Sequence, residues 1–113
     1  LAAEQGSAIA QTDLGEMYYN GTGVLQDYKE AVKWYRLAAE QGNDSAQGKL
    51  GMLYYIGRGV LQDYVLAHMW LNFASSKGYK VAVKYRNMVE SKMSPSQVEK
   101  AQEMARNWKP KTN

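Results

Sequence analysis

Apolar side chains return every three or four residues in two blocks near the start of the chain. Ala10, Leu14, Met17 and Tyr18 form the first, and Ala31, Trp34, Tyr35 and Ala38 the second. That spacing gathers them on one side of a helix, which predicts a first helix from about Ser7 to Asn20. A second begins at Asp27, whose carboxylate can accept backbone N–H groups, with Glu30 three residues on completing a capping-box pattern, and runs toward Gly42. Between the two lies NGTGVLQD. Gly21 reads as a left-handed helix stop, Gly23 as a hinge, and Val24 and Leu25 as plugs for the gap between helices. Gly15, beside the apolar stripe, leaves room for a neighbouring helix.

The pattern returns 36 residues later. Residues 3–38 align on 39–74 with 20 identities, and YYNGTGVLQDY at 18–28 becomes YYIGRGVLQDY at 54–64. A period of this length marks a helical repeat array. A catalytic loop is needed once, whereas a joint is needed at every bend, and the eleven-residue echo is read as a joint. The second unit predicts a helix from about Ser45 to Ile56, a turn through Gly57 and Gly59, and a helix capped by Asp63 and ending near Lys77. Residues 79–93 read as a third helix of the first type. Ser94 and Pro95, followed by Gln97, give an N-cap, a proline at the first helical position and a closed capping box. The last helix, about Pro95 to Trp108, sets Val98, Ala101, Ala105 and Trp108 on one face, and Pro110 ends it.

The fold class expected is all-α, a solenoid of antiparallel helix pairs forming a single domain. LAAEQG at 1–6 copies 37–42, so residues 1–5 are expected to be the tail of a preceding helix. Repeat 1 then spans 6–41, repeat 2 spans 42–77, and 78–113 is a divergent capping hairpin, charged because a terminal unit must present a polar outer side.

Composition narrows the chemistry. At 113 residues the chain can bury about 65% of its unfolded surface, enough for one continuous core. With no cysteine there is neither a disulfide framework nor a thiolate metal site, and with His68 as the single histidine no metal cluster or cofactor is expected. No stretch approaches the ~18 apolar residues of a membrane span. Residues 1–74 carry five Lys/Arg and eight Asp/Glu, whereas 75–113 carry nine and three. The cations of the basic end are scattered and no nucleic-acid motif accompanies them, so a solvated cap is expected rather than a nucleic-acid partner.

Ten positions recur at fixed spacing: Ala10, Leu14, Gly15, Tyr18, Gly21, Gly23, Val24, Asp27, Ala31 and Trp34. They return as Ala46, Leu50, Gly51, Tyr54, Gly57, Gly59, Val60, Asp63, Ala67 and Trp70. The pattern resembles the Sel-one-like repeat (SLR) family, relatives of the tetratricopeptide repeats. The resemblance implies a right-handed superhelix acting as a scaffold or adaptor that binds proteins or peptides on its concave side. It leans toward a bacterial, periplasmic or secreted setting, with the cytoplasm left open.

If the first helix of each pair lines the concave wall, as the resemblance implies, the residues opposite the apolar stripe face the partner. These are Thr12, Asp13, Glu16, Tyr19 and Asn20. Their counterparts are Gly48, Lys49, Met52, Tyr55 and Ile56, and then Lys84, Tyr85, Met88, Ser91 and Lys92. The row passes from acidic through apolar to basic, variation of the kind a repeat frame uses to read one ligand.

Catalysis finds little support. Gly21-Thr22-Gly23 and Gly57-Arg58-Gly59 follow no strand and precede no Gly-Lys-Ser/Thr, so they are turns rather than phosphate loops. His68 is read as a partly exposed helix residue. Penicillin-binding or β-lactamase activity has been attributed to cysteine-rich relatives, but this chain has no cysteine and no Ser-x-x-Lys. A hydrolase of cell-wall or β-lactam-like ligands and a structural spacer stand as the alternatives to a protein-binding module. Self-association through an uncapped N-terminal edge is a further expectation.

Overall fold

The computed structural model describes residues 2–110, leaving Leu1 and 111–113, the outer ends of the two terminal segments, outside it. Six helices follow one another: α1 Ala8–Asn20, α2 Tyr28–Glu40, α3 Asp44–Ile56, α4 Tyr64–Ser76, α5 Lys80–Glu90 and α6 Pro95–Asn107. The described residues contain no strand. Side-chain caps begin five of the helices. Ser7, Asp27, Asn43, Asp63 and Ser94 each accept the backbone N–H three residues on, satisfying a donor that the first helical turn leaves without an internal partner.

The repeated turn is built twice in the same way. Gly21 and Gly57, both at φ 71°, end α1 and α3, and their N–H groups reach back to the Met17 and Leu53 carbonyls at 2.8 Å. Gly23 and Gly59 also take positive φ. The Gln26 amide donates to the Tyr19 carbonyl at 2.9 Å, and Gln62 does the same for Tyr55 at 2.8 Å. The Asp27 and Asp63 N–H groups donate to the Tyr18 and Tyr54 carbonyls, each at 2.9 Å. Carbonyls orphaned at the helix ends are thereby satisfied, which is why Gln recurs in the turn, while Asp recurs because its carboxylate caps the next helix. These bonds correct two readings. The Asp27 N–H goes to Tyr18, so the capping box expected with Glu30 forms only its Asp27 half. Leu25 plugs nothing: it and Leu61 are 91% and 90% exposed, while Val60 packs against the core.

Small residues set the packing. Ala31, Ala38, Ala46, Ala67, Ala74, Ala82 and Ala101 are fully buried with Leu50, Leu71 and Val89, and short side chains at a contact let helix axes approach closely. One buried cluster joins α2, α3 and α4, with Met104 and Ala105 of α6 packed against it, and a second joins α4 and α5. Residues 2–7 carry the turn bonds seen at the ends of α2 and α4. Gly6 and Ser7 donate to Ala3 and Ala2, as Gly42 and Asn43 donate to Ala39 and Ala38.

The last two helices depart from the expected hairpin. α6 lies against α4, and α5 packs on α4 and touches α3, while α5 and α6 do not pair along their lengths. α6 instead packs on α4, where Trp108 meets Phe73 and Trp70 with ring centroids 4.5 and 5.7 Å apart.

His68 is also corrected. It is 2% exposed, as deep as Val32, its counterpart in repeat 1, and its Nε2–H donates to Glu90 Oε1 across 2.8 Å. Packing of α5 over α4 buries it.

Candidate functional site

The Lys49–Glu16 ion pair at 3.1 Å ties α3 to α1. Between them opens a cavity of about 110 Å³, lined by Tyr19, Tyr35, Lys49, Met52, Leu53 and Ile56. Four of these, Tyr19, Lys49, Met52 and Ile56, belong to the row read from the sequence. Tyr19 comes from α1, and Lys49, Met52 and Ile56 follow one face of α3 at helical spacing.

The floor was missed. Tyr35 comes from α2, where its spacing assigned it to the core stripe. Gly15 has no side chain, so the ring lies against α1 and extends beneath the row; a Cβ at position 15 would stand 2.8 Å from Tyr35 Cδ1 and Cε1. Its counterpart Leu71 sits equally close to Gly51. The phenol is 2% exposed and forms no hydrogen bond among the described residues. Burial pushes its pKa well above the ordinary tyrosine range, with a further contribution from the Glu16 carboxylate.

The rim of the cavity is braced across repeats. Arg58, where repeat 1 has Thr22, donates to the Tyr19 hydroxyl at 2.8 Å and lies 5.1 Å from the Tyr28 ring centroid. Tyr19 in turn meets Tyr28 at 5.2 Å, as Tyr55 meets Tyr64 at 5.8 Å. Arg36 donates to the Tyr54 hydroxyl at 2.6 Å. The doubled sequence signalled these braces only through its tyrosines, since neither arginine repeats.

The other row positions divide. Asp13, Glu16 and Asn20, with Met17 and Thr22, line a shallow hollow of about 330 Å³ on the α1 side. Met52, Tyr55 and Tyr85 lean on the second core cluster, and Lys84, Met88, Ser91 and Lys92 are exposed. Thr12 does not belong to the row. It is 7% exposed and its hydroxyl donates to the Ala8 carbonyl at 2.8 Å. At its counterpart, Gly48, the Tyr79 ring would stand 3.1 Å from an added Cβ. The junction into the next unit covers this side of the helix, so a first helix is buried on two faces rather than one.

A separate open cavity of about 470 Å³ lies at the N-terminal edge, lined by Trp34, Leu37 and Gln41 among others. Among the described residues no group of three or more His, Cys, Asp or Glu could hold a metal ion. No helix is long and apolar enough to cross a membrane.

The Sel1 repeat family model matches twice, at residues 8–43 and 44–79. Among solved structures the chain is similar to a protective antigen present in uropathogenic Escherichia coli strains, which displays an SLR fold. The identity is 38% and the TM-score 0.90, over 95% of this chain and 23% of that one. It is also similar to a Sel1 repeat protein from Oxalobacter formigenes, at 42% identity and a TM-score of 0.74, over 77% of this chain and 36% of that one. The chain thus spans about a quarter to just over a third of these neighbours' length. No curated protein matches it. With paired helices repeating every 36 residues and both repeats matched, the chain belongs to the Sel1 repeat family, whose members are generally protein-interaction scaffolds.

Proposed function

We propose that this chain binds a protein or peptide segment along the face formed by α1, α3 and α5, taken as the concave wall of the solenoid. The observation that carries the reading is the convergence of Tyr19, Lys49, Met52 and Ile56 on one cavity with a buried tyrosine as its floor. A concave, mostly apolar pocket with a few convergent polar groups is the usual form of a recognition site. Tyrosine and methionine are also enriched where interfaces are most buried.

A photo-crosslinking amino acid placed at Met52, compared with one at Leu61 on the exposed turn, tests the reading. Crosslinks to a protein partner from Met52 that are absent from Leu61 support it. Crosslinks from Leu61 alone move the function to the turn edge and overturn it.

A further inference from the structure

The proposed face is not uniform, and its order specifies a ligand. The charged residues of α1 are Asp13 and Glu16, both exposed and without a cation on the same helix. Those of α3 are Asp44 and Lys49, and Lys49 is paired with Glu16 at 3.1 Å, so Asp13 is the α1 carboxylate left to the row. α5 carries Lys80, Lys84 and Arg86 against Glu90, and Glu90 is held by His68. Arg86 is directed to Asn72 and Ser75, so Lys84 and, just past the helix, Lys92 are the cations left to the row.

Resting on the binding reading above, we infer that the face selects an extended peptide. A basic residue lies over α1, one aliphatic anchor enters the α1/α3 cavity, and an acidic residue lies over α5. Asp13, in the shallow hollow it shares with Asn20 and the paired Glu16, receives the basic side chain. Opposite charges meeting at both ends fix the direction of the chain, which is what electrostatic complementarity contributes beyond affinity.

Lining chooses the anchor. Met52, Leu53 and Ile56 give the cavity an apolar wall that suits an aliphatic side chain. Tyr35 lines the cavity, and its hydroxyl can donate to a backbone carbonyl beside the anchor.

The test begins with a displayed library of random twelve-residue peptides selected on the full chain. Fluorescence anisotropy of the enriched peptides follows, against the parent protein, Ile56→Glu and Asp13→Lys. Ile56 is 45% exposed, so Ile56→Glu leaves the fold intact, as far-ultraviolet circular dichroism will show.

The expected result is enrichment of the basic, aliphatic, acidic order, with at least tenfold weaker binding to Ile56→Glu. Asp13→Lys should weaken the same peptides at low salt and regain binding when the peptide's basic residue is exchanged for glutamate. Peptides that Ile56→Glu disrupts but that show no charge order, or the reverse order, would overturn this inference and leave the binding face standing. Peptides that bind Ile56→Glu as well as the parent, or a library that yields no binder, would overturn the binding reading together with it.

Discussion

The ring of Tyr35 fills the space that a side chain at Gly15 would need: two of its carbons lie 2.8 Å from where a Cβ would stand. One helix thus gives up its side chain so that an aromatic ring on the next can become the floor of a cavity. Gly51 and Leu71 repeat the relationship, with Leu71 Cγ at 2.7 Å and the Ala67 carbonyl at 3.1 Å.

Gly15→Ala is therefore expected to destabilise the protein, although alanine favours helix by about 1 kcal/mol over glycine. Overpacking of this kind costs about 1–3 kcal/mol. Gly51→Ala should cost more than Gly15→Ala, because backbone as well as a side chain obstructs the new methyl group. Urea denaturation followed by circular dichroism measures both. A gain in stability for either variant would mean that the helices can separate freely.

Much of the frame was legible because it is local and written twice. Gly21 and Gly57, the caps at Asp27, Asp63 and Ser94, and the helix bounds depend on a few neighbouring residues, and the repeat checks each against its copy. What failed depends on a third element. Thr12 is covered by the junction into the next unit, His68 by α5, and α6 is held on α4 by Trp108 against Phe73 and Trp70, none of which a single helical wheel contains. Leu25 misled for a different reason: it recurs in both repeats and looks like framework, yet stands in solvent. Four of the six residues lining the cavity were readable, one from the row on α1 and three from the row on α3. Its floor was not, because Tyr35 reaches it through a gap left by another helix.

Removing the aromatic clamp on α6 should release that helix alone. Trp108 contacts Phe73 and Trp70, and α6 has no packed partner on its α5 side. Trp108→Ala is expected to cost about 2–4 kcal/mol, with hydrogen exchange accelerating in α6 while α5 keeps its protection. Equal loss of protection in α5 would show that the two helices open together.

The His68–Glu90 contact gives a prediction of opposite signs. Glu90→Ala leaves the buried Nε2–H without its acceptor, at a cost of about 1–3 kcal/mol. Nδ1 is already buried and without a partner. His68→Leu removes both nitrogens from an apolar site whose counterpart is Val32, so the double variant should be more stable than Glu90→Ala alone. Denaturant midpoints decide it. Additive losses would show that the histidine is held by packing rather than by its hydrogen bond.

The buried phenol of Tyr35 makes stability depend on alkaline pH. An unfolded tyrosine begins to lose its proton near pH 10. In the folded chain burial, reinforced by the Glu16 carboxylate, holds the proton to higher pH. Above about pH 10 the unfolded state therefore binds fewer protons than the folded one, and stability must fall as pH rises. One such group contributes at most about 1.4 kcal/mol per pH unit. Tyr35→Phe deletes the ionisation and no internal hydrogen bond, so at pH 7 its stability should lie within about 0.5 kcal/mol of the parent. Between pH 10 and 11 the parent should lose stability relative to the variant, the other tyrosines being common to both. Parallel curves across that interval would mean that the folded protein gives up the Tyr35 proton as readily as the unfolded chain. The floor of the cavity would then be open to water rather than sealed beneath α1 and α3.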